Sequence, residues 1–103
     1  MRQCITVEQL RELEIDKIFE ILEISKGSLA YTLFENKDNA TSNALVCRFN
    51  IGKMIEIIGD ELQDITCYNT KEWSVDVFQY VITEEELADA LWEAVKYVLK
   101  ESD

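Results

Sequence analysis

The 103-residue sequence predicts an α+β fold, in which a small antiparallel sheet of two hairpins packs against helices and a long helix closes the chain. Three observations predict it. Leu87, Leu91, Val95 and Val98 recur at three- and four-residue spacing, the stripe of an amphipathic helix. Trp73-Ser74-Val75-Asp76-Val77 alternates apolar and polar residues, the period of a half-buried strand. The chain, 48% apolar with three Gly and no Pro, is of a length that builds one core, so residues 1–103 form one domain.

Taken in order, Thr6 can cap a first helix carrying Val7, Leu10 and Leu13. Ile15, Ile18, Phe19, Ile21, Leu22 and Ile24 do not share its stripe. Either a second helix starts near Asp16 at a new angle and ends at Gly27, the reading we prefer, or a strand runs into a Lys26-Gly27 turn. Residues 29–34 and 44–49 are β-prone runs around a polar stretch, residues 36–43, and predict a hairpin with an exposed, mobile tip. Asn50 can cap a short helix holding Lys53, Met54, Ile55, Ile57 and Ile58, which Gly59 ends in the left-handed conformation. Asp64-Ile65-Thr66-Cys67-Tyr68 is a strand partner for residues 73–77, joined through the turn residues Asn69-Thr70-Lys71-Glu72. Thr83 and Glu86 then have the spacing of a capping box for a helix from about residue 84 to 100. Glu84, Glu85, Glu86 and Asp89 early, with Lys96 and Lys100 late, complement the dipole of that helix.

The chemistry on offer is limited. There is no histidine, which removes the commonest general base, the usual zinc ligands and every Ser-His or Cys-His pair. Gly27, Gly52 and Gly59 are isolated, so no phosphate-cradling loop is present. Cys4, Cys47 and Cys67 are far apart in sequence and lack CxxC spacing, which reads as small buried hydrophobes in a reducing compartment. Arg48 beside Cys47 would point to the opposite face of a strand. The run Glu84-Glu85-Glu86 is accounted for by the helix dipole before any metal. We therefore expect no enzyme, no cofactor and no metal. The amino-terminal stretch lacks the apolar segment of a signal peptide, and no run reaches the ~20 apolar residues of a membrane span, so a cytoplasmic location is expected.

Charge is the main compositional signal. Ten basic residues against 21 acidic ones give −11, a sign that repels nucleic acid and anionic membranes and favours a basic protein partner, including one that itself binds nucleic acid. The candidate partner-binding acids are Glu85, Asp89 and Glu93 on the last helix, with Asp64, Glu72 and Asp76 on the hairpin. The same acids also read as a merely solubilising surface. Trp73 and Trp92 read as core, or one aromatic is an exposed anchor for a partner. Two other classes remain open. The chain can homo-oligomerise through an apolar helix face or a strand edge, or it can sequester a small ligand, although Arg2, Arg11, Arg48 and Lys53 are scattered for an anionic one.

Phe49-Asn50-Ile51-Gly52-Lys53-Met54-Ile55-Glu56-Ile57-Ile58 and the stretch from Glu84 through Lys96 resemble small proteins encoded by phages and prophages of Gram-positive bacteria. The likeness covers the carboxy-terminal half and consists of helix-packing residues. It implies an accessory protein acting in the host cytoplasm, similar to anti-CRISPR and other counter-defence inhibitors that occupy basic nucleic-acid grooves. It carries no catalytic residue across.

Overall fold

In a computed structural model, which describes residues 2–69, 71–78 and 80–102, five short helices precede a three-stranded antiparallel sheet and a long final helix. The helices are α1 (Val7–Leu10), α2 (Ile15–Ile21), α3 (Leu29–Glu35), α4 (Asn39–Cys47) and α5 (Ile51–Ile58). After a 3-10 turn at Gly59–Glu61 come β1 (Leu62–Tyr68), β2 (Glu72–Val77), β3 (Tyr80–Glu84) and α6 (Leu87–Ser102). The fold is α+β as expected.

Side-chain caps explain why such short segments are helical. Thr6 Oγ1 accepts from the Gln9 amide at 3.1 Å and Gln9 Oε1 accepts from the Thr6 amide at 2.9 Å, a closed capping box at α1. Ser28 caps α3 through the Tyr31 amide at 3.2 Å, and Asp38 caps α4 through the Thr41 amide at 2.9 Å. Asn50 caps α5 through the Lys53 amide at 2.8 Å, and Gly59 at φ +63° ends it, both as the sequence predicts. None of these helices is long enough to persist alone, so each depends on its cap and on packing.

Three sequence expectations are corrected. Residues 29–34 and 44–49 do not form a hairpin; the first run lies in α3, and the second is the end of α4 with the two residues that follow it. The buried residues Ser42, Leu45, Val46 and Phe49 fall at i, i+3, i+4 and i+7, a helical stripe that outweighs the β propensity of Val46 and Phe49. The polar stretch at 36–43 is therefore the cap and first turns of a helix rather than a hairpin tip. The second helix ends at Ile21, six residues before Gly27, where Glu23 turns the chain at φ +58°. The predicted capping box at Thr83 is not made, because Thr83 belongs to β3, opposite Ser74. The Glu86 carboxylate instead accepts the Arg2 amide at 3.1 Å, and its carbonyl accepts the first helical bond from Ala90. The predicted hairpin of β1 and β2 is present; Thr70 of its turn lies outside the described residues.

The cysteines also depart from expectation. Cys47 and Cys67 are exposed and Cys4 is half-buried. Cys47 is the last residue of α4, not part of a strand, and Arg48 is the C-cap.

The final helix is the centre of the molecule. Leu87, Ala88, Ala90, Leu91, Trp92, Ala94, Val95 and Val98 are all buried, because the sheet covers one side of α6 and α5 the other. Val75, Val77 and Ile82 meet it from the sheet, while Phe49 packs edge-on against Trp92 at 5.7 Å between centroids. Trp92 is thus core, and its Nε1–H donates to Glu12 Oε1 at 2.9 Å. Arg11 joins α1 to α3 and α4, lying 4.2 Å over the Phe34 ring and donating to Ser42 Oγ at 2.9 Å. No helix among the described residues is long and apolar enough to cross a membrane.

Tyr31 ties α3 to α2 by donating its hydroxyl to Asp16 Oδ1 at 2.6 Å. This bond, chiefly, pushes the phenol up to about 12, with burial and the Asp16 charge adding to it. The raised value means that this contact stabilises the fold fully below the ordinary tyrosine pKa of about 10 and is lost as pH climbs through 12. In a near-UV absorbance titration, one of the four tyrosines should ionise well after an ordinary tyrosine does. Asp16→Asn should return it to the ordinary range, and an unchanged titration curve in that variant would refute the assignment. Asp38 has the opposite sign. Its hydrogen bonds from the Thr41 amide and hydroxyl hold the carboxyl below its usual range, so the α4 cap weakens only as pH falls through that lowered value.

Candidate partner-binding surface

The sheet order is β1-β2-β3, and its register decides which residues share a face. Along β2, Val75 and Val77 point to α6 and are fully buried, so Glu72, Ser74 and Asp76 point the other way. Pairing adds Tyr68 opposite Glu72, Thr66 opposite Ser74, and Asp64 opposite Asp76 on one side. On the other side it adds Thr83 opposite Ser74 and Val81 opposite Asp76. The outer face of the sheet thus sets acids and hydroxyls beside exposed Tyr68 and Val81, around a buried Ser74. Three of the predicted acids, Asp64, Glu72 and Asp76, stand on it together.

The arrangement of these three is unusual for a surface that only solubilises. Asp64 and Asp76 are direct cross-strand partners, and like charges in that relation destabilise a sheet by about 0.2–1 kcal/mol. Among the described residues, none of the three takes part in an ion pair. Their partners are hydroxyls: Thr66 Oγ1 donates to Asp64 Oδ2 at 2.6 Å and Ser74 Oγ donates to Asp76 Oδ1 at 3.4 Å. Those bonds orient the carboxylates without neutralising them.

The helix acids have a different situation. Glu85 is exposed and precedes α6. Asp89 is ion-paired with Arg2 and accepts from Gln9 Nε2 at 2.8 Å, so it fastens the amino-terminal segment to α6. Glu93 pairs with Lys96 at 3.0 Å, and Lys96 also reaches Glu12 at 3.2 Å. Burial lowers the Lys96 pKa, but the hydrogen bonds to Glu93 and Glu12 outweigh it and raise the ammonium above its usual range. The six candidate acids therefore do not make one surface. Asp64, Glu72 and Asp76 stand on the sheet face turned away from α6, whereas Asp89 and Glu93 lie on α6 and are ion-paired.

Exposed aromatics gather near the same sheet. Tyr68, Phe78, Tyr80 and Val81 are each more than half exposed, whereas Trp73 is half-buried. Trp92 is core as the sequence reading has it, Trp73 is half-buried, and the aromatics left exposed are tyrosine and phenylalanine. β3 has a free edge, and a groove of about 520 Å³ runs between it and α6 past Tyr80, Glu84, Glu93, Lys96 and Lys100. Tyr80 stacks on Tyr97 there at 4.9 Å between centroids. The strand period of Tyr80-Val81-Ile82-Thr83-Glu84 is legible in the sequence, but the Thr83–Glu86 spacing competes with it. No group of three or more metal-ligating side chains occurs among the described residues.

No protein-family model matches the chain, and comparison with curated proteins and with solved structures gives no match.

Proposed function

We propose that this chain is a non-enzymatic binding protein that presents the outer face of its sheet to a basic protein partner. On this reading it covers a Lys/Arg groove that would otherwise hold nucleic acid, as a counter-defence inhibitor of a nuclease complex would. The observation that carries the reading is the Asp64–Asp76 pair, two carboxylates at directly paired positions whose hydrogen-bond donors are hydroxyls rather than cations. A basic groove relieves their repulsion on binding, and the net charge of −11 steers the encounter. Sequestration of an anionic ligand is less well supported, because Arg2, Arg11 and Lys53 are engaged by Asp89, Ser42 and Glu56.

A second reading has its own observation. The free edge of β3 with exposed Tyr80 and Val81 offers unpaired backbone groups to another strand, which supports self-association. One experiment separates the two. The immobilised chain, challenged with a cell extract containing an untagged copy of itself, is expected to retain a basic protein that salt and competing nucleic acid release. Retention of the untagged copy instead would favour the second reading, and retention indifferent to both salt and nucleic acid would refute the first.

A further inference from the structure

The amino-terminal strand segment and the end of α4 bring two cysteines together that lie 43 positions apart in sequence. Cys4 forms an isolated antiparallel bridge with Asn50, and the Ile51 amide donates to the Gln3 carbonyl at 3.0 Å. These backbone contacts pin residue 4 at the junction of α4 and α5. Cys47, three residues before Asn50, ends α4 at that same junction, which sets it beside the segment that carries Cys4. One sulfur is reachable and the other sheltered, since Cys47 is exposed and Cys4 half-buried.

We propose that Cys4 and Cys47 are a thiol pair that hydroperoxides oxidise to an intramolecular disulfide and that a dithiol reductant restores. In the first step the exposed Cys47 thiolate attacks a peroxide oxygen, the O–O bond breaks, and hydroxide leaves to become water. In the second, the Cys4 sulfur attacks the resulting sulfenic sulfur, and the S–O bond breaks. The departing hydroxide takes the Cys4 proton to give a second water. Two thiols lose two electrons and one hydrogen peroxide gains them. Exposure gives Cys47 the attacking role and the sheltered Cys4 the resolving one; burial also pushes the Cys4 thiol up, with Cys47 adding to this and Arg2 opposing it. Bond formation requires the two sulfurs to close to about 2.05 Å, a movement that the exposed end of α4 can supply. Cys67, exposed on β1, is removed for the test and serves as the internal contrast.

The test uses the full chain as Cys67→Ser, oxidised with hydrogen peroxide under native conditions, then alkylated and examined by intact mass and peptide mapping. Expected are the loss of two hydrogens, no remaining alkylatable thiol, a cross-linked peptide joining residues 4 and 47, and full reversal by dithiothreitol. The oxidised form should melt on the order of 10 °C above the reduced form, because the closed loop restricts the unfolded chain. Cys4→Ser in the same background should stop at an oxidised, uncross-linked Cys47. A Cys47 sulfinic acid beside a free Cys4, a disulfide between two chains, or no reaction at all would each overturn the proposal.

Discussion

Replacing Trp92 by alanine should lower the stability of the fold by about 3–5 kcal/mol. The indole is fully buried on α6, the element that touches both the sheet and the helices, so its loss opens a cavity at the centre of the molecule. The edge-on contact with Phe49 and the hydrogen bond to Glu12 go with it. Among the described residues, Glu12 would keep Lys96 as its side-chain partner. A domain of this size has roughly 5–15 kcal/mol in total, so the variant should retain a much lower urea midpoint or lose its cooperative transition. Trp73 remains as the fluorescent reporter. Trp92→Phe should cost less than the alanine, since a ring still meets Phe49 and the loss is limited to the hydrogen bond and the smaller volume of the indole's second ring. A midpoint shift for Trp92→Ala no larger than that of the exposed Glu85→Ala would contradict the central position of α6.

Neutralising the cross-strand pair as Asp64→Asn/Asp76→Asn should move stability and binding in opposite directions. Relief of the like-charge contact should raise stability by about 0.2–1 kcal/mol. Affinity for the captured basic partner should fall on the order of 10-fold, mainly through slower association, and the remaining affinity should depend less on salt. The comparison variant is Asp89→Asn. It removes an acid already paired with Arg2, and should reduce stability while leaving partner binding near the parent value. If the sheet variant were destabilised with binding intact, the two carboxylates would be structural and the proposed surface would be wrong.

The legible parts of the fold share one property: their signals are local. Thr6, Asn50 and Gly59 act within three or four residues, and the β1–β2 hairpin is bounded by its own turn residues. Ser28 and Asp38 are equally local caps, and their helices were obscured by β-prone residues at positions that burial required to be apolar. The start of α6 was misplaced because Thr83 suits two structures. Its pairing with Ser74 adds a strand edge to the sheet, while a cap would satisfy one helix end.

The sequence by itself determined the α+β class, the central helix, the shortage of catalytic groups and the acidic sign. It placed Asp64, Glu72 and Asp76 on one hairpin, but that Asp64 and Asp76 share a face follows from the observed pairing register. Only the tertiary structure decided which of the acids are free. Asp89 meets Arg2 across 87 positions, and Lys96 meets Glu12 across 84. Periodicity assigns a residue to a side of its own element; it does not say which distant charge that side will meet. The same limit applies to Cys4 and Cys47. Their proximity is created by the way the amino-terminal segment docks on the α4–α5 junction, a contact made between elements.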